Sequence, residues 1–259
     1  MAVARQRRHS RPRRRRGRFG GLYKVLSVLL VAAAVVAACV VFFRVNSVEV
    51  TGNVRYTSAE IIQASGIQMG DNLIALPRSR ISAAIRAQLP YVEGVSIRKA
   101  LPDGVVLKVT ERVAAASVDS AEGRWLMSSQ GKLLEPDTGA ESIRITGLTA
   151  VGPFAGGMIQ VPEGEESTLE YVKELLDVLE KRGHLSQCTA LDCSAATYMT
   201  LDYDIYRLKL PRSGDYDYYI QLTERALESE KIPEGVAGTL DLTVAEGKAY
   251  FKPGEQPTE

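Results

Sequence analysis

Nineteen consecutive residues without a charge, Val25 to Phe43, dominate the hydrophobic pattern of this chain. A helix rising ~1.5 Å per residue carries nineteen of them across roughly 28 Å, about one hydrocarbon core. The pattern predicts a membrane-spanning helix over 22–43, and the lack of a polar face argues against a buried soluble helix. Beyond it the periods shorten. Val48 and Val50 alternate with Ser47, Glu49 and Thr51, a half-buried strand. Thr57-x-x-Glu60 forms a capping box ahead of a short helix bearing Ile61 and Ile62 and stopped by Gly66. A second helix follows Pro77, with Ile81, Ile85 and Leu89 on one stripe and Pro90 as its end. Val95 with Ile97, and Val105 with Leu107 and Val109, mark two strands joined by Leu101–Gly104. In that turn Pro102 pre-sets φ, Asp103 can bond to nearby backbone, and Gly104 tolerates positive φ. The order strand, helix, helix, strand, strand makes a small unit whose helices cover one apolar sheet face.

After Arg112 the pattern becomes β-rich. "VAAASVD", "RWLMSS", "SIRITGL" and "GMIQV" are short apolar runs separated by turn residues. Ser167-x-x-Glu170 is expected to cap a helix with Leu169, Val172, Leu175, Leu176 and Leu179 on its stripe and Gly183 as its stop. "CTALDC", "YMTLDYD" and "YRLKL" read as strands. "DYDYYIQLTERALESEK" reads as a helix using Tyr216, Ile220, Thr223 and Leu227. "GTLDLTV" and "KAYF" form a last hairpin around Glu246-Gly247. The expected class is α+β: a membrane helix, a β-α-α-β-β domain over 45–113, and a larger mixed β domain with two helices over 114–253. Residues 1–21 and 254–259 are expected to be disordered.

Charge orients this arrangement. The first 24 residues hold nine Arg and Lys24 and no acid, so the net charge of +1 divides into +10 and +1 − 10 = −9. Basic residues ahead of the apolar run place the N-terminus in the cytoplasm and the remainder outside. A basic head on an acidic body does not suit a nucleic-acid-binding domain. "VAAC", ending at Cys39, also fits lipoprotein processing or a cleaved signal, whereas the apolar residues continuing to Phe43 fit a retained span. Cys188 and Cys193 read as core thiols, with a disulfide allowed outside the membrane.

The sequence offers no enzyme signature. There is no glycine-rich phosphate loop and no zinc-protease or nucleophile-elbow motif. His184 follows a helix end. Asp202/Asp204 and Asp215/Asp217 sit two apart, so a carboxylate pair on one strand face is formally available. Their interleaving with tyrosines reads as the wet side of amphipathic elements. No catalytic, cofactor-binding or metal-ligating set is expected, and no small-molecule substrate.

The stretch "LPYVEGVSIRKALPDGVVLKVTER", residues 89–112, resembles the POTRA domain of the FtsQ/DivIB family of bacterial division proteins. The matching positions are Pro90, Val92, Arg98, Pro102, Glu111 and Arg112, with Asp103 and Gly104 in the turn. The resemblance covers the basic tail, the span and this domain. Over 113–259 only the order of elements agrees. It implies a scaffold without enzymatic activity, anchored by one span in the cell membrane at the division septum. Partners resembling FtsB/DivIC and FtsL, and septal wall synthases, would be met outside the membrane in support of septal wall synthesis. It also implies that such a partner adds a strand to the last strand, here Lys248, Ala249, Tyr250, Phe251 and Lys252. Alternation allows only one of Tyr250 and Phe251 to face the core. Glu111 and Arg112 read as a joint between domains. Two other readings stand beside this one: a POTRA-bearing transport or assembly component, and a membrane-anchored envelope hydrolase.

Overall fold

A computed structural model describes residues 19–229, 232–233, 235–245 and 247–254. The basic tail up to residue 18, Glu246 of the expected last turn, and residues 255–259 lie outside the described residues. By its internal contacts the described chain divides into two compact units. One comprises 19–48, 68–76 and 99–105; the other comprises 49–67, 77–98 and 106–254.

The first unit carries helix α1 (Phe19–Phe42), whose large apolar side chains from Leu22 to Val36, and Val41 and Phe42, are exposed. Among the described residues it is the one helix long and apolar enough to cross a membrane, and it is compatible with a single-pass anchor. The chain then enters β1 (Ser47–Thr51), the first strand of a three-stranded sheet of order β1-β3-β2, with β2 at Val92–Ala100 and β3 at Gly104–Glu111. Helices α2 (Ser58–Ser65) and α3 (Arg78–Gln88) belong to the second unit. The Thr57–Glu60 capping box is formed, and Gly66 closes α2 in the left-handed region at φ 66°. Ile61, Ile81 and Ile85 are buried, as are Val105, Leu107 and Val109 of β3. Gly104 differs from expectation. It does not have positive φ; the reason for glycine there is space, because a Cβ would lie 3.1 Å from both the Ala100 carbonyl oxygen and Ser47 Oγ.

The second unit is dominated by a nine-stranded sheet of order β12-β11-β10-β9-β8-β7-β4-β5-β6. Its strands are β4 (Ala116–Ser120), β5 (Gly123–Met127), β6 (Leu133–Pro136), β7 (Ile143–Ala150), β8 (Cys188–Asp192), β9 (Tyr198–Tyr203), β10 (Tyr206–Pro211), β11 (Gly238–Asp241) and β12 (Tyr250–Pro253). The pairs β4–β7, β7–β8 and β10–β11 are parallel; the rest are antiparallel. Helices α4 (Glu166–Arg182) and α5 (Tyr216–Leu227) contribute to one core with Ile145, Leu191, Leu201, Leu208 and Leu240 of the sheet. The α4 stripe Leu169, Val172, Leu175, Leu176 and Leu179 is buried as its 3.6-residue period requires.

Two local expectations are corrected. Ser167 does not cap α4. The helix begins at Glu166, after a turn in which Glu165 N–H donates to the Pro162 carbonyl, so Ser167 is already inside it. The run "GMIQV" is not a strand. Residues 156–159 instead form an irregular strap along β6: Leu133 N–H donates to Gly157 O (2.8 Å), Gly156 N–H to Leu133 O (2.8 Å), and Ile159 N–H to Gly131 O (2.9 Å). Consecutive glycines and the nearby Pro162 prevent a regular ladder. Cys188 and Cys193 are free and buried, and burial pushes both thiols up to about 12, so they are protonated core residues at neutral pH.

Candidate partner-binding edge

A nine-stranded open sheet has two edges, and each edge strand leaves a row of backbone groups unpaired. The strap 156–159 covers the start of one edge, bonding Gly131 and Leu133 at the beginning of β6. The opposite edge is β12, held on its inner side by β11 in the register Asp241↔Tyr250, Leu240↔Phe251, Thr239↔Lys252 and Gly238↔Pro253. Gly254 N–H donates to Ala237 O (3.2 Å). Antiparallel bonding alternates every two residues, so Tyr250 and Lys252 direct their backbone groups at β11, and Phe251 turns its N–H and C=O outward. Pro253 has no N–H, so within β12 the outward donor is that of Phe251.

Side chains follow the period of two. Phe251 packs on the core, its ring 6.3 Å from that of Tyr206 in an edge-to-face arrangement. Tyr250 is 45% exposed, and Lys252 is exposed. Lys248 and Ala249 precede the strand; Lys248 N–H closes a turn to Ala245 O (3.2 Å), while Ala249 packs on the core. Beside Tyr250, Asp241 accepts from Lys209 Nζ (3.2 Å), which also lies 4.4 Å from the centre of the Tyr198 ring. Burial acts to raise the Asp241 carboxyl, but hydrogen bonds from Thr243 and Lys209 outweigh it and hold the group below the usual range.

Close approach of the last two strands depends on Gly238. A Cβ there would lie 2.5 Å from Lys252 O and 2.8 Å from the Phe251 ring. Gly238→Ala is therefore expected to displace β12 and to cost about 1–3 kcal/mol of stability. Amide hydrogen exchange should show protection lost at Lys252 and Gly254; unchanged exchange there would rule out the steric account.

The resemblance residues lie apart from this edge. Val92 is fully buried in β2, Arg98 is exposed on it, and Pro90 separates α3 from β2. Pro102 follows a cis peptide bond at the hairpin tip. Asp103 faces the chain near the α1 exit: its carbonyl accepts from Asn46 N–H (2.8 Å) and Ser47 N–H (3.3 Å). Glu111 is an acceptor for the loop before α2, taking N–H donors from Val54 (3.1 Å), Arg55 (2.7 Å) and Tyr56 (3.3 Å). Arg112 N–H donates to Tyr91 O (2.9 Å).

One cluster escaped the sequence reading. Arg55 lies 4.0 Å from the Tyr91 ring centre and 2.5 Å from Glu135, which also accepts from Tyr91 Oη (2.7 Å). Tyr56, Leu126 and Leu134 pack with Tyr91. Burial first, and then Glu135, push the Tyr91 phenol up. No linear motif links residues 80 positions apart, so only folding reveals the group. His184, for its part, bonds Glu224 (2.7 Å) and Gln187 (2.8 Å), tying α5 to the turn after α4.

The carboxylates spaced two apart are engaged separately. Asp202 is on β9 in a two-pronged ion pair with Arg207 (2.7 and 3.2 Å), and Asp204 sits in a turn at φ 51°. Asp215 caps α5 through Tyr218 N–H (3.1 Å), and Asp217 pairs with Arg182 (2.7 Å).

These features define a class: an apolar helix, a β-α-α-β-β domain and a large edge-bearing sheet with two helices. Residues 43–112 match the POTRA domain of FtsQ type. The chain is 32% identical over 108 residues to the cell division protein FtsQ of Corynebacterium glutamicum, an alignment covering 42% of this chain and 48% of the relative. It is 29% identical over 156 residues to the cell division protein DivIB of Clostridium acetobutylicum, covering 59% and 61%. It is 28% identical over 206 residues to FtsQ of Agrobacterium fabrum, covering 79% and 60%. The chain thus spans about half to three-fifths of the length of these curated relatives. Residues 43–112 thus carry a POTRA domain of FtsQ type, and over parts of its length the chain is similar to the FtsQ and DivIB cell-division proteins.

Proposed function

We propose that this chain is a non-enzymatic, single-pass membrane scaffold of the division septum. Its N-terminus is cytoplasmic and its folded domains are extracytoplasmic. It holds division proteins resembling FtsB/DivIC and FtsL, and through them supports septal wall synthesis. The contact is strand addition to β12, centred on Phe251, with Tyr250 and Lys252 meeting the partner's side chains and Lys248 and Ala249 leading into it. The observation that carries this reading is the geometry of β12: it is an edge strand whose Phe251 backbone groups turn outward, flanked by the exposed Tyr250 and Lys252.

Two substitutions separate backbone from side-chain recognition. Phe251→Ala removes the aromatic ring and keeps the outward N–H. Phe251→Pro removes both, and an outward-facing proline leaves the bonds to β11 intact. With the full chain and candidate partners in one bilayer, Phe251→Pro is expected to bind at least about tenfold more weakly than Phe251→Ala. Equal affinities would exclude strand addition at this edge. Depletion of the protein without a septation defect would overturn the function itself.

A further inference from the structure

Two loops are hydrogen-bonded to the chain where it leaves α1. Leu73 N–H donates to Phe43 O (3.0 Å), Val45 N–H to Asp71 O (2.9 Å), and Gly70 N–H to Val45 O (2.8 Å). Arg44 and Asn72 pair as an isolated bridge. The hairpin tip joins the same stretch: besides its carbonyl bonds to Asn46 and Ser47, Asp103 takes Asn46 Nδ2 on its carboxylate (3.2 Å). Lys99 Nζ then ties tip to loop by donating to Ile74 O (2.6 Å). Loops 68–76 and 99–105 are thereby fixed beside Phe43, the last residue of the apolar run.

Their outward residues do not suit water. Met69 is 66% exposed, Ile74 52% and Leu101 66%, whereas Val45 and Leu73 between them are fully buried. Exposed loop tips ordinarily carry small or polar residues. The acids of these loops are half-buried and hydrogen-bonded within the unit, Asp71 Oδ2 accepting from Gln68 N–H (2.9 Å) and Asp103 as described. Arg44, at the end of the run, is exposed. Depth follows from geometry. A span of roughly 28 Å puts Phe43 at the hydrocarbon boundary, and backbone bonded directly to Phe43 shares that depth.

We propose that Met69, Ile74 and Leu101 form a collar that inserts into the headgroup–acyl boundary of the bilayer crossed by α1. The occupant is lipid, because the collar is continuous with the apolar helix and carries the exposed Arg44 at its rim, while Asp71 and Asp103 are engaged in hydrogen bonds within the unit. The collar sets the orientation of the first unit on the membrane by three apolar contacts in addition to the helix. The inference rests on reading α1 as a retained span.

The test uses the full chain with Trp125→Phe, which removes the single native tryptophan. Tryptophan is then placed singly by Met69→Trp, Ile74→Trp, Leu101→Trp, Phe42→Trp or Val36→Trp. Each protein is reconstituted into vesicles of phosphatidylethanolamine and phosphatidylglycerol, with and without brominated acyl chains. Emission from positions 69, 74 and 101 is expected to fall with brominated lipid to an extent comparable with position 42, and to be shielded from aqueous iodide. Quenching at 36 and 42 without quenching at 69, 74 and 101 would overturn the collar and leave the span intact. No quenching at 36 would overturn the span and the collar together. The vesicles contain no other protein, so bromine quenching reports lipid and not a partner's helix.

Discussion

Glu111→Ala is expected to destabilise the folded chain by about 2–4 kcal/mol, although Glu111 lies at the end of a strand. One carboxylate satisfies three successive backbone donors, Val54, Arg55 and Tyr56. That loop follows Gly52, whose φ of 82° and close approach to the Val109 carbonyl already commit the chain to a tight path. Removing the acceptor leaves the N–H groups to water or to nothing, and releases the loop that starts α2. Glu111→Gln keeps one oxygen acceptor and turns an amide donor toward the other N–H groups, so about half the loss is expected. Urea unfolding of the three proteins checks the series. A change below about 0.5 kcal/mol for Glu111→Ala, the range of ordinary surface substitutions, would mean that solvent satisfies the loop equally well.

Leu208→Ala should cost about 2–5 kcal/mol, since it empties a fully buried position in the interior strand β10. Its importance here is mechanical. Leu208 pairs in register with Leu201 of β9 and Leu240 of β11, and β11 in turn holds β12. Unfolding should shift to lower urea with little change in slope. At temperatures where the variant is still folded, partner capture per folded molecule should match the parent, because the edge itself is unaltered. A variant that is stable but has lost its partner would place Leu208 in the interface and contradict the assignment of the contact to β12.

Much of the fold was legible in sequence because its determinants are local. The capping box at Thr57 and Glu60, the αL glycines Gly66 and Gly183, and the leucine stripe of α4 each act within a few residues. The elements misread are those where local signals compete. Ser167-x-x-Glu170 carries the spacing of a cap, but the turn from Pro162 starts α4 earlier. "GMIQV" has β-forming residues, but its glycines and its neighbour β6 make it a strap.

The sequence alone determines that an apolar run of membrane-spanning length follows a basic segment, that a β-α-α-β-β unit follows it, and that only one of Tyr250 and Phe251 can face inward. It could do so because helix rise, capping and strand alternation are short-range rules. Only the tertiary structure decides that Phe251 is the inward one, by packing near Tyr206, and that Tyr250 is left outside. The same holds for the three-donor cradle of Glu111 and the Arg55–Tyr91–Glu135 cluster. Each depends on residues brought together across tens of positions, where the gain from burial and pairing is set by neighbours the linear pattern does not contain.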